Sequence, residues 1–530
     1  MATVFIPRRL RPLAQGNKQV EVTATTVRQV IEALDVAHPG LKSKLYDAER
    51  DALARGMAVT VDGVTSELGL LESLRPQSEV HFLPAIAGGS RPPNILFFFP
   101  DQQRHDWTGR NPALPLRTPN VNALAARGTS FTRAWCSSPL CAPSRACVAS
   151  GRRYDRCGVP DNGANYPLDQ PTYFQGLRQA GYRVAGVGKF DLHKDLIDPD
   201  GQWWELDGSR LLQEWGFTEG IDNEGKFDGS GSYRRHGTPR GPYLAFLEER
   251  GLADVYADEH ADLKRHMGAY TTALPDDAYC DNWVAENGLR FLRDFPAGQP
   301  WHLVVNFTGP HNPMDVTASM RARWEGVDFP GPHSTDEVDR EGLLRNRQNY
   351  AAMIENIDSH VGRFLQAVED RGETADTIVV YASDHGEMLG DHGRWGKSTW
   401  RQPSVGVPLV IAGPGVQSDA TCGSPVVLHD LPVWFLERAG ASPLPEADGR
   451  SLQPLLSDVT ATHREAVVSA LSDWRAVTDG RYKLVVQRDQ ADRLFDLDAD
   501  PWEDVNLAAK EPQIAERMRT ILVEEVGETS

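Results

Sequence analysis

The chain has 530 residues, 40% hydrophobic and 24% charged, which calls for two or three domains of ordinary soluble, globular character. Its formal net charge of −19 excludes nucleic acid or an anionic membrane surface as the principal partner, while leaving room for a small anion in a local cationic pocket. No stretch reaches the roughly eighteen apolar residues that span a bilayer, and the opening MATVFIPRRLRPL lacks a secretory apolar run, so a cytoplasmic location is expected.

Residues 1–89 form a first unit. TVFIP and VEVTA have short strand patterns, and VRQVIEALDVAHPGLK, residues 27–42, spaces its apolar residues as a helix does. MAVTVDG is another strand, ended by Asp62-Gly63, and SEVHFLPAIAGG is a last strand running into Gly88-Gly89. Strand, strand, helix, strand, strand is the order of a β-grasp fold. Over its whole length the unit resembles the ubiquitin-like sulfur carriers of molybdopterin and thiamine biosynthesis. The points of likeness are the VTVDG turn, the SEVHFLPAIAGG ending and the helix placed after the first hairpin. In those carriers a free terminal Gly-Gly carboxylate is adenylated and becomes a thiocarboxylate. Here Ser90 follows, and the carboxylate is held in a peptide bond. Two readings stay open: residues 90–93 are a linker, or a protease or activating enzyme cuts after Gly89 to release a carrier or tag.

From Asn94 apolar strands alternate with amphipathic helices, as in an α/β fold with a large, mostly parallel sheet sandwiched by helices. NILFFF, YRVAGV, WHLVVNF, TIVVYA and VPLVIAG are the expected strands. NVNALAARG, YFQGLRQAG, NWVAENGLRFLRDF, YAAMIENIDSHVGRFLQAVEDRG and VVLHDLPVWFLERAG are the expected helices. Residues 195–276 show no clear period and read as an insertion near the active site. The body runs over 94–459, and 460–530 is expected to be a small antiparallel sheet closed by a helix.

Ligands of open parallel sheets bind beyond the carboxyl ends of the strands. Four expected strands end in unusual chemistry: Asp101-Gln102, Lys189 with Asp191 and His193, Pro310-His311, and Asp384-His385. Singly, each has a plain explanation as a turn, cap or surface residue. Their coincidence points to one crevice. The six cysteines form neither a disulfide framework nor paired Cys-x-x-Cys zinc spacing.

CSSPLCAPSRACVASGR holds the most specific pattern in the chain. Cys141-x-Pro143-Ser144-Arg145 with Gly151-Arg152 resembles the signature of the formylglycine-dependent sulfatases, and the likeness extends over 94–530. It takes in RTPNVNALAARGTSFTRAW, the Pro310-His311-x-Pro313 loop, SDHGEMLGDHGRWGK, and the ending RAVTDGRYKLVV followed by LFDLDADPWEDVNLA. Pro143 suits a first helical turn, so residue 141 is expected at a helix N-terminus, which favours an anion.

The resemblance implies an alkaline-phosphatase-like fold and hydrolysis of a sulfate ester. A formylglycine-generating enzyme would oxidise Cys141 to an aldehyde, whose hydrate attacks sulfur and then expels sulfate. Asp101, Gln102, Asp384 and His385, with an oxygen of modified residue 141, would hold a divalent metal: Ca²⁺ first, with Mn²⁺ or Mg²⁺ open. Lys189 and Lys397 would neutralise the ester oxygens, Arg145 would support the site, and His311 would act as general acid or sulfate contact. Asn162, His193 and His392 are the substrate-binding candidates, with a supporting role equally open for His392.

Two departures stand out. Asp101-Gln102 and Asp384-His385 replace the Asp-Asp and Asp-Asn of many arylsulfatases, a pattern similar to the branch of choline-sulfatases and phosphonate monoester hydrolases. That leaves phosphonate monoesters and phosphodiesters as alternative substrates, with retained Lys189 favouring sulfate. The family's Gly-Lys-x-His also appears here as Gly188-Lys189-Phe190-Asp191, with His193 two positions on.

Overall fold

The computed structural model of the chain describes residues 2–6, 10, 13–47, 51–54, 57–62, 64–66, 68–84, 92–194, 204–261, 268–334 and 339–527. It divides into two compact units, Met1–Pro92 and Pro93–Ser530. The Gly88-Gly89 pair lies outside the described residues.

The first unit contains β1 (Ala2–Phe5), β2 (Gln19–Val22), α1 (Val27–Ala37), β3 (Met57–Val61), β4 (Val64–Thr65) and β5 (Glu79–Pro84). The sheet order is β2-β1-β5-β3-β4, with β1 antiparallel to β2 and parallel to β5. Thr26 caps α1 by accepting from the Gln29 N–H. The helix buries Val27, Val30, Ile31 and Leu34 in one core with Val4, Val80 and Phe82. It stops at Ala37, short of the expected Lys42, because Pro39 cannot continue the hydrogen-bond ladder and Gly40 takes a φ of 98°.

The strands of the second unit's main sheet are β6 (Asn94–Phe98), β7 (Gly128–Phe131), β8 (Arg183–Gly188), β9 (Glu219–Asp222), β10 (Trp301–Asn306), β11 (Thr377–Ala382), β12 (Leu409–Ala412) and β13 (Ala420–Cys422). They run in the order β9-β8-β10-β6-β11-β12-β7-β13. From β9 to β11 all neighbours are parallel, whereas β12 is antiparallel to both β11 and β7. The helices that matter below are α2 (Pro119–Ala126), α3 (Cys141–Ser150), α4 (Tyr173–Gln179), α5 (Lys226–His236), α6 (Cys280–Asp294), α7 (Arg340–Asp370) and α8 (Asp430–Ala439).

Every residue of β6, β10 and β11 is buried, as strands covered on both faces must be. Ile95, Phe97, Val304 and Val380 face a core shared with Phe174 of α4 and Phe435 of α8. Leu96, Phe98, Val305 and Tyr381 face the opposite core with Val284 of α6, Phe364 of α7 and Leu124 of α2. The four-stranded antiparallel sheet β14 (Val467–Leu471), β15 (Trp474–Thr478), β16 (Tyr482–Gln487) and β17 (Arg493–Asp496) follows, covered by α9 (Pro512–Val526).

Three expectations need correction. α7 begins at Arg340, not Tyr350, because Asp339 caps it by accepting from the Gly342 N–H. The expected helix over 426–440 begins only at Asp430, after Val426-Val427 pair with Ala134-Trp135 as short strands. Residues 195–276 are no simple insertion: β9 is the edge strand of the main sheet, and α5 follows it directly. EGID is too short and too glycine-rich to show a period.

Glu224 joins β9 to α5 at 2% exposure, and its carboxylate accepts from the N–H groups of Tyr243 and Leu244, each at 3.2 Å. Burial outweighs these bonds and pushes its carboxyl up from 4.5 to about 7. The folded chain then holds a proton that the unfolded chain releases, so stability falls as pH rises from 4.5 to 7. Denaturant titrations of Glu224→Gln should show a gain over the parent that is small at pH 5 and grows to about 3 kcal/mol at pH 8.

Candidate active site

Loops leaving the carboxyl ends of β6, β8, β10 and β11 converge on the first turn of α3. All 10 residues of α3, CAPSRACVAS, are buried. Ala142, Ala146 and Ala149 let the helix lie in the core, and Pro143 sits in the first turn, where no N–H partner is needed. Gly151 closes the helix with a φ of 68°.

Cys141 Sγ lies 3.1 Å from His385 Nε2, 3.2 Å from Lys397 Nζ and 3.7 Å from Asp101 Oδ1. Ligand atoms of Asp101, Cys141, Asp384 and His385 all fall within 4.8 Å of one another. His385 Nδ1 is bonded to the Gly386 carbonyl at 3.0 Å, which turns Nε2 toward the group. Gln102 has a φ of 71°; its Nε2 donates to Glu387 and, at 3.3 Å, to Asn312, leaving Oε1 to face Lys397 Nζ.

Arg145 ties these loops together. Nε donates to Asp384 Oδ2 at 3.0 Å; one Nη1 serves the Lys189 carbonyl at 2.7 Å and Asn306 Oδ1 at 3.1 Å. Its other terminal nitrogen stands 3.8 Å from Asp101 Oδ2. Lys189 Nζ is paired with that same Asp101 oxygen.

These charges shape one another. Burial alone would push the Asp101 carboxyl up, but Lys189, His311, Lys397 and Arg145 hold it well below the usual range. Burial and Asp101 oppose ionisation of the Cys141 thiol, yet Lys189, Lys397 and His385 bring it well below its ordinary value. For His311, burial and then Lys397 lower the imidazole. His311 Nδ1 faces the Asn312 carbonyl, so neutral Nε2 is the acceptor for Lys397 Nζ at 2.6 Å.

The structure thus brings together Asp101, Gln102, Cys141, Arg145, Lys189, His311, Asp384, His385 and Lys397. Asn162 joins them through the backbone, its Oδ1 accepting from the Ala142 N–H at 2.9 Å. His193 instead meets Arg210 at 3.4 Å. His392 accepts from Arg401 at 2.9 Å and stands edge-on to His333, with Asp504 alongside.

Sequence reasoning passed over Glu387 and Asn312, which orient the Gln102 amide, and Lys226, whose ammonium bonds the carbonyls of His311 and Pro313 at 3.2 Å and Asp315 at 2.6 Å. Glu387 and Asn312 lie inside the quoted SDHGEM and PHNP segments, so proximity in sequence could have flagged them. Nothing in the sequence marks Lys226.

A helix-start thiol ringed by carboxylates and cations stands at the strand ends of this sheet, where a small anionic ligand of an α/β enzyme would bind. The Sulfatase family model matches residues 93–441, and the ThiS family model matches residues 4–89. The chain belongs to the sulfatase family. It is 30% identical over 456 residues to a choline-sulfatase of Rhizobium meliloti, covering 78% of this chain and 82% of the relative. An arylsulfatase of Clostridium perfringens is 27% identical, over 82% of this chain and 94% of its own. Among solved structures, the phosphonate monoester hydrolase of Agrobacterium radiobacter shares the fold at a TM-score of 0.68 and 23% identity, covering 82% of this chain and 95% of that one.

Arg145→Met would leave Asp384 Oδ2 buried without its guanidinium partner, at a cost of about 3–5 kcal/mol in denaturant unfolding. Arg145→Lys should recover little of that loss, because a single ammonium cannot reach Asp384, Asn306 and the Lys189 carbonyl together.

Proposed function

We propose that this enzyme hydrolyses the sulfate ester of a small alcohol, with formylglycine made from Cys141 as its working group. The observation that carries the reading is the position of Cys141 Sγ, first in α3, between Lys397 at 3.2 Å and His385 at 3.1 Å. At residue 141 the hydrated aldehyde would supply the nucleophilic oxygen for sulfur and a second hydroxyl for release of sulfate.

The surrounding donors fit a divalent cation. Two carboxylates, the Nε2 of His385 and the Sγ of Cys141 lie within 4.8 Å of one another, while the Oε1 of Gln102 accepts from Lys397, which stands 3.2 Å from that sulfur. We assign Asp101, Gln102, Asp384 and His385 as its ligands and calcium as the ion, ahead of manganese and magnesium. When bound, the ion polarises the ester oxygens and favours the hydrate of residue 141.

The chain's own groups supply the rest. Lys189 and Lys397 neutralise the oxygens on which charge builds, at sites that need no reorganisation during the reaction. Lys397 donates to the neutral His311 Nε2 at 2.6 Å, and a proton passed along this contact is the one for the leaving alkoxide. Asn162 steadies the first turn of α3 through the Ala142 N–H. His193 and His392, turned to Arg210 and Arg401, are assigned no part in the chemistry.

No helix among the described residues is long and apolar enough to cross a membrane. The six cysteines are all free and buried, which suits a reducing compartment, and we assign the enzyme to the cytoplasm. The ThiS match ending at Gly89 supports a separate proposal, cleavage after that residue by a protease or activating enzyme. Intact mass of the chain from its own cells decides it: a fragment ending at Gly89 is expected, and only full-length chain would refute it.

Peptide mass spectrometry of active enzyme should show the thiol-to-aldehyde conversion at Cys141, the work of a formylglycine-generating enzyme, and Cys141→Ala should abolish turnover. Choline sulfate is the first substrate to try, following the name of the Rhizobium relative. Sulfate esters should give a higher kcat/KM than matched phosphonate monoesters; the reverse order would transfer the site to phosphonates or phosphodiesters.

A further inference from the structure

Asp191 stands where the family pattern Gly-Lys-x-His has its histidine, buried at 7% exposure and with a φ of 54°. Its Oδ2 lies 3.1 Å from Lys189 Nζ and 3.2 Å from Lys194 Nζ, so one oxygen serves two ammonium groups. Lys194 is 6% exposed and also reaches Asp228 Oδ2 at 3.1 Å. Burial opposes charge on Lys194, but Asp191 and Asp228 outweigh it and hold the ammonium above its ordinary range.

The local backbone is fixed. The Lys194 N–H donates to Asn165 Oδ1 at 3.0 Å and the Tyr166 N–H to the Leu192 carbonyl at 2.7 Å, which ties this loop to the one carrying Asn162. Asp228 comes from the first turn of α5. Just before that helix, Gly225 packs on Lys189: a Cβ there would stand 3.2 Å from Lys189 Cε.

A carboxylate in place of a histidine subtracts charge from a pocket that must draw in an anion, and it competes with that anion for Lys189. Lys194 cancels the subtraction from the far side of Asp191. We propose that the buried Asp191–Lys194 pair takes over the histidine's place, positioning Lys189 for the ester oxygens and keeping the pocket's charge suited to a singly charged anion. Both are positioning residues, and the proposal rests on the sulfate-ester reading above.

The test uses the full-length enzyme, turnover of a sulfate ester and the inhibition constant of inorganic sulfate. Lys194→Met leaves Asp191 uncompensated beside Lys189 and should raise both KM and the sulfate inhibition constant about tenfold. The double variant Asp191→Asn/Lys194→Met removes both charges and should bring the inhibition constant back to within about threefold of the parent, the coupling expected of touching charges. A pair that merely staples the fold predicts the contrary, with melting temperature lowered and sulfate affinity unmoved. Unchanged affinity in Lys194→Met, or no recovery in the double variant, overturns the proposal. Should Lys194→Met fail to fold, Asp228→Asn removes one negative charge and leaves Lys194 to Asp191 alone, which should tighten sulfate by about threefold, no change or a weakening again overturning it. A parent enzyme that neither turns over a sulfate ester nor is inhibited by sulfate would instead refute the function proposed above.

Discussion

One buried guanidinium touches the ends of all four central strands. Arg145 bonds Asp384 after β11, the Lys189 carbonyl after β8 and Asn306 at the end of β10, and it faces Asp101 after β6. It can do so only because α3 points its first turn into the crevice and carries alanines where it meets the core. Carboxylates this deeply buried would take up protons if left alone. With Arg145, Lys189 and Lys397 around it, Asp101 keeps its charge, and the thiol, the imidazoles and the ammonium groups find their places relative to it. The geometry of the site is therefore a property of the charge set as a whole.

Much of this was legible in the chain. The apolar runs of β6, β10 and β11 have no polar alternation, which reads as strands covered on both faces, and each run ends in Asp, Asn or Pro where the chain must turn. The pattern around Cys141 placed a helix start at the crevice, and α3 does begin there. What escaped was whatever depends on contacts distant in sequence. Glu387 looks like one more acidic residue until its oxygen is seen to hold the Gln102 amide. The ten early residues of α7 carry few apolar side chains, so periodicity began only where the helix enters the core.

The stretch from Asp222 to Asp228 is the clearest case. In sequence it is polar and without rhythm; in the fold nearly every member has a separate task. Asp222 accepts from the Phe190 N–H, Gly225 lies on the Lys189 stem, Lys226 fastens the His311 loop and Phe227 meets the His311 ring edge-on. No periodic pattern can encode such a segment, because each residue answers to a different neighbour. Its polarity is that of a spacer between charged loops, and only the fold distinguishes that from the polarity of solvent exposure.

Cys141 is 1% exposed, and the helix it begins has no residue at the surface. An enzyme that oxidises this side chain in the way proposed here would have to reach it, and in the finished fold Leu140 before it is half-buried while every residue from 141 to 150 is buried. On the reading proposed above, oxidation of residue 141 by another enzyme would have to precede burial of this segment. A molecule that folded first would keep its thiol sealed among the cations, 1% exposed and out of reach of such an enzyme.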